Sequence, residues 1–145
     1  MNRLYVSYFI IGIVTIFSFG VVLERMQIPV PTVTELRDAY QYGQTNDKPT
    51  PPQPFRFDGC TLFPDQILGT SFRQACLQHD IAYWYGGSAM ERLTADQAFK
   101  QAIQAEGFVG RLFQQPIYWS VRLFGDTILL RPLNANWGFG YNETK

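Results

Sequence analysis

At 145 residues with a hydrophobic fraction of 46%, the chain is enough for one small domain and little more. Twelve basic and twelve acidic residues cancel, and no segment gathers Lys or Arg on one face, which argues against nucleic acid as the main partner. Two cysteines and a single histidine supply too few ligands, at no accepted spacing, for a zinc site. If the domain sits outside the cytoplasm, Cys60 and Cys76 are better read as a disulfide.

The N-terminus addresses that condition. Leu4 to Leu23 is a run of twenty residues without a charge, flanked by Arg3 and by Glu24-Arg25. A helix of that length spans a bilayer. Residues 1–25 therefore read as a single-pass anchor, with the rest of the chain on the extracytoplasmic side. The competing reading is a signal peptide, giving a secreted protein if residues 1–20 are cleaved. Residues 26–54 carry Pro29, Pro31, Pro49, Pro51, Pro52 and Pro54, the pattern of an extended stalk, because proline fixes φ and removes a donor. Within it, Thr34 to Gln41 is expected to form a short helix capped by Thr34. The folded domain is then residues 55–145.

From Phe57 to Gly69 the turn signals Asp58-Gly59, Phe63-Pro64-Asp65 and Leu68-Gly69 predict a loop without regular structure. Thr70-Ser71 is expected to open a helix, with Ser71 and Gln74 as its capping box, running to about Tyr85 and ending at Gly86-Gly87. Ser88 and Glu91 form a second capping box, and Gly107 is a natural terminator for that helix. The expected architecture is all-α: an antiparallel helical hairpin on an N-terminal transmembrane helix. Beyond it, Pro116 is placed to start a further helix at its first position. The aromatic stretch around Trp137-Gly138-Phe139-Gly140-Tyr141 is read as a cover for the open side of the hairpin, with a membrane contact as the alternative. Asn142-Glu143-Thr144 matches a glycosylation acceptor, which has meaning only in a eukaryotic secretory setting.

The chemistry centres on Cys76-Leu77-Gln78-His79-Asp80-Ile81-Ala82-Tyr83. Phe72, Cys76, His79 and Tyr83 share one helix face, while Leu77, Ile81 and Trp84 make a second apolar face. His79 is thus expected in the wall of a core. On the next helix Asp96 lies in the apolar stripe of Leu93, Phe99 and Ile103. A buried carboxylate needs a partner. In antiparallel helices, residues equidistant from the turn face each other, which sets His79 against Asp96 and Tyr83 against Arg92. Such a pair fixes the imidazole tautomer and frees the other nitrogen as a general base. No nucleophilic side chain is evidently placed, so the natural substrate of that base is water. Asp80 points away from His79 around the helix, and a Cys60–Cys76 bridge would hold Asp58 within its reach. Two carboxylates so placed call for a hard cation, Ca²⁺ first.

This pattern resembles the secreted phospholipase A2 superfamily, particularly its small bacterial and fungal-type members. The resemblance runs from about Phe57 to Ile103, on Asp58-Gly59-Cys60-Thr61 with Pro64-Asp65, Ala75 to Tyr83, and Ala95-Asp96-Gln97-Ala98-Phe99. It implies that His79 activates water for attack on the sn-2 ester of a glycerophospholipid. His79, Asp96 and Tyr83 become the catalytic set, with Tyr83 bonded to Asp96. Asp80 and Asp58, with carbonyls near Gly59 and Cys60, become the calcium ligands, and membrane phospholipid becomes the substrate, reached from a bilayer held through residues 4–23. The alternatives are a non-catalytic lipid- or partner-binding module on the same scaffold, and a hydrolase of another acyl ester.

Overall fold

The computed structural model describes residues 30–61, 63–127 and 135–141. The apolar run at residues 4–23 and the acceptor motif at Asn142 lie outside the described residues, and no helix among those described is long and apolar enough to cross a membrane. Within them the chain is mostly helical, as the patterning predicts.

The first helix, α1 (Val33–Thr45), lies in the proline-rich stretch. Thr32, not Thr34, caps it. The Thr32 hydroxyl accepts the Glu35 N–H at 3.2 Å, and the Glu35 carboxylate accepts the Thr32 N–H at 2.7 Å, so two orphan donors are satisfied reciprocally. The helix is no spacer. Ala39 is wholly buried in the core, Tyr42 packs on Tyr85 at 5.5 Å between ring centroids, and Glu35 pairs with Arg73 at 2.8 Å. Further on, the Gln53 N–H donates to the Gly140 carbonyl, and the Gln53 carbonyl accepts the Trp84 indole N–H, both at 2.9 Å. The extended stalk expected over residues 26–54 is therefore corrected: from Thr32 on, this segment belongs to the folded body, because an amphipathic turn with its own cap buries more than an extended chain does.

The turn-rich loop also contains regular structure. Strands β1 (Gln66–Ile67) and β2 (Thr70–Ser71) pair antiparallel. Leu68 and Gly69, both at positive φ, form the two-residue turn between them. This pairing corrects the expected start of the next helix. Thr70 and Ser71 are committed to the strand, so Ser71 forms no capping box, and α2 (Arg73–Tyr85) begins after the buried Phe72, whose N–H bonds the Asp65 carbonyl at 2.7 Å.

Helix α2 stops at Gly86, which has φ 62°. A β-carbon there would stand 2.6 Å from the Gly138 α-carbon, so both the turn and its close neighbour require glycine. Helix α3 (Ala89–Ala105) carries the predicted Ser88–Glu91 capping box. Helix α4 (Gly107–Phe124) follows at once and runs unbroken through Pro116, where a new start was expected. Its burial of Gly110 and Ile117 against the core offsets the one backbone bond that proline cannot make. The last described segment, residues 135–141, folds back over the hairpin turn. The Gly138 N–H reaches the Tyr83 carbonyl at 2.7 Å, the Trp137 indole reaches the Gly87 carbonyl at 2.9 Å, and Phe139 is buried. The aromatic stretch therefore packs on the hairpin at its turn end.

Cys60 and Cys76 form a disulfide with Cα atoms 5.3 Å apart, tying the loop to the first turn of α2 across 16 positions. Closing a loop of that size constrains the unfolded chain by about 3 kcal/mol. The double variant Cys60→Ala/Cys76→Ala is expected to lose roughly that much stability, read as a lower urea midpoint, with a slope equal to or steeper than the wild type's because the unlinked unfolded chain exposes more surface.

Candidate functional site

The hairpin brings His79 and Asp96 together as the sequence predicts. The tight glycine turn fixes the register of α2 against α3, and the His79 Nε2 lies 3.0 Å from Asp96 Oδ1. The Tyr83 hydroxyl, one turn along α2, donates to the same oxygen at 2.8 Å. Asp96 is wholly buried. The His79 ring lies between Phe99, stacked at 4.3 Å and 25°, and Tyr83, at 4.1 Å. Two aromatic faces and one carboxylate leave the imidazole a single orientation.

The protonation pattern follows from the donors. Burial by itself pushes Asp96 upward, but hydrogen bonds from His79, Arg122 and Tyr83 outweigh it and hold the carboxyl below its usual range. An ionised carboxylate only accepts, so Nε2 carries a proton and Nδ1 is the free base nitrogen. Burial opposes the charge on His79, yet the nearby Asp80 carboxyl and the hydrogen-bonded Asp96 raise its pKa overall. The imidazolium that forms when the base takes a proton is thereby stabilised. Burial and the neighbouring Asp96 raise Tyr83, which stays a hydroxyl donor.

Two arginines complete the surroundings of Asp96. Arg122 Nη1 donates to Asp96 Oδ2 at 2.6 Å, and Arg92 Nε lies 3.9 Å from the same oxygen. Arg92 also approaches the Tyr83 hydroxyl at 3.5 Å, the opposition that the turn register predicts. Sequence reasoning missed Arg122. The signal that points to it is a count: a buried carboxylate has about four lone-pair sites, and His79 with Tyr83 fills only one side of it.

On the other side of His79 the carboxylates gather. Nδ1 lies 3.9 Å from Asp80 Oδ1. Burial first, then the charges of Asp58 and Asp65, raise Asp80 to about 6, with the nearby His79 imidazole acting the other way. Asp65, to which the sequence reading gave no role at the site, holds the loop. Its carboxylate accepts the Cys60 N–H at 2.7 Å and pairs with Arg73 at 3.2 Å. It packs on Gly59, where φ of 91° and the contact with Asp65 exclude a side chain. Asp58 accepts the Thr61 hydroxyl at 3.5 Å.

The chemistry of these donors, though not a complete side-chain shell, would suit a hard cation. A buried carboxylate facing two others is relieved by a divalent ion, and the oxygens of Asp80 and Asp58 with the carbonyls of Gly59 and Cys60 are hard ligands. Among the described residues no group of three or more His, Cys, Asp or Glu side chains is placed to hold an ion, so loop carbonyls and water have to complete any shell here.

His79 and Asp80 open on a cavity of about 320 Å³. Its walls are apolar: Phe63 and Ile67 from the loop and hairpin, Phe99 from α3, and Phe113, Ile117 and Val121 from α4. A polar floor under an apolar channel suits a ligand with a long hydrocarbon part and one polar reacting group. Comparison with protein-family models, with curated proteins and with solved structures found no match for this chain.

Proposed function

We propose that the protein is a calcium-dependent, phospholipase A2-like hydrolase of the sn-2 acyl ester of membrane glycerophospholipids. The observation that carries this reading is the His79–Asp96–Tyr83 constellation. It is buried on one side and presents a base nitrogen beside Asp80, at the floor of an apolar cavity.

His79 Nδ1 removes a proton from water as the resulting hydroxide attacks the ester carbonyl carbon. Asp96 holds the imidazole and stabilises its positive charge through Nε2–H. When the tetrahedral adduct collapses, the C–O bond to glycerol breaks and His79 returns the proton to that oxygen. The products are a fatty acid and a lysophospholipid. Calcium held by Asp80, Asp58 and the Gly59 and Cys60 carbonyls would polarise the ester carbonyl. The cavity takes the acyl chain.

Two further features suit a bilayer substrate. Phe108, Leu112, Trp119 and Leu123 are exposed along one face of α4, beside the Pro116 and Ser120 that line the cavity. The disulfide fits an extracytoplasmic domain, which the apolar run at residues 4–23 would hold at the membrane.

The test is fatty-acid release from mixed micelles of phospholipid by the full-length protein. Release is expected with calcium, lost in EDTA and restored by excess calcium, and no release at millimolar calcium would overturn the reading. A second reading, a non-catalytic binder of apolar ligands on the same scaffold, is favoured by the sparse set of side-chain donors near Asp80. It predicts binding of a fatty acid in the cavity with no turnover.

A further inference from the structure

Asp96, on α3, is held from both neighbouring helices. Oδ1 accepts from His79 and Tyr83, both on α2, while Oδ2 accepts from Arg122 on α4 at 2.6 Å. Arg92, one turn before Asp96 on α3, reaches past it. Its Nη2 donates to the carbonyls of Val121 at 3.1 Å and Arg122 at 3.0 Å. These carbonyls belong to the last turn of α4, at the negative end of its dipole, where the Val121 carbonyl also accepts the capping Gly125 N–H. Arg92 thus fastens the end of α4 to α3 and sets where Arg122 stands.

We propose that Arg122 is a positioning residue: by holding Oδ2 it fixes the plane of the Asp96 carboxylate, and through it the direction in which His79 presents Nδ1 to the cavity. Both α2 donors act on Oδ1 alone, so from α2 the carboxylate is anchored by one oxygen and its plane can rock about that point. A guanidinium on the second oxygen stops that rocking, since its rigid planar donors are directional where an ammonium is a point charge. Because α4 also walls the cavity through Phe113, Ile117 and Val121, the clamp joins the ligand-facing wall to the base. The kinetic consequence rests on the hydrolase reading; the orientation of His79 does not.

The chain has a single histidine, so imidazole ¹⁵N and ¹H NMR of the full-length protein reports on His79 alone. In the wild type the Nε2-bound proton is expected far downfield, hydrogen-bonded and slow to exchange. In Arg122→Gln that resonance moves upfield and broadens, and kcat falls by roughly tenfold to a hundredfold, as for a misplaced reacting group, with KM little changed. Arg122→Lys is expected to fall between the two in both readouts. A folded Arg122→Gln protein with the wild-type His79 signal would overturn the proposal. If that variant does not fold, Arg122→Lys decides: a wild-type spectrum and rate there would reduce Arg122 to a structural cation. A shifted His79 signal with no turnover in any variant, the wild type included, would uphold the clamp and sink the hydrolase.

Discussion

On the proposed hydrolase reading, replacing His79 by glutamine is expected to lower kcat for ester hydrolysis by roughly a hundredfold to ten-thousandfold, the range supplied by a placed general base, while the protein stays folded. Glutamine is the informative choice. Its amide N–H still donates toward Asp96, so no buried charge is left uncompensated, and Tyr83 and Arg122 hold that carboxylate in any case. What glutamine lacks is a basic nitrogen. Circular dichroism and thermal melting should match the wild type within a few degrees, so the loss is chemical. His79→Ala should lose activity equally and cost more stability, because it empties the space between Phe99 and Tyr83. A folded His79→Gln enzyme with wild-type turnover would remove the base from the account.

Asp80→Asn is expected to abolish activity and, at the same time, to stabilise the calcium-free protein. Asp80 is mostly buried beside two other carboxylates, and its pKa rises from 3.8 to about 6, burial being the largest cause. The sign follows. A carboxyl whose folded pKa lies above its unfolded value favours folding when protonated, and that contribution is lost as pH rises from about 4 through about 6. At neutral pH the ionised group costs about 3 kcal/mol, at about 1.4 kcal/mol per unit. An amide carries no such cost, so calcium-free Asp80→Asn should melt on the order of 10 °C higher at pH 7.5 and match the wild type near pH 4. Asp96 works in the opposite sense: its depressed pKa withdraws stability only as pH falls below the usual carboxylate range. Calcium should raise the melting temperature of the wild type and leave Asp80→Asn unmoved. An Asn variant that melts no higher than the calcium-free wild type at pH 7.5 would show that Asp80 carries no electrostatic strain.

The parts of this protein that were legible from sequence are those set by local chemistry. Ser88 with Glu91 marks the start of α3, and Gly86-Gly87 ends α2. With the turn fixed, counting outward from it pairs His79 with Asp96 across only 17 positions. The Cys60–Cys76 bridge follows from there being two cysteines and nothing else for them to do. The rest depends on distant partners. Arg122 meets Asp96 from 26 positions away, and Arg73 meets Glu35 from 38. No periodicity encodes such meetings, so the docking of α1 and the second arm of the carboxylate clamp were invisible. The strands β1 and β2 are two residues each, too short for alternation to show, and their pairing claimed the serine that looked like a cap. Asp65 looked like a turn residue because it is one, and its grip on the Cys60 N–H appears only in three dimensions.

The most direct measurement is a side-by-side assay of full-length wild type and His79→Gln on phosphatidylcholine carrying a labelled sn-2 chain, in calcium. The account predicts labelled fatty acid and unlabelled lysophospholipid from the wild type and neither from the variant. Equal release from both proteins, or none from the wild type, would contradict it.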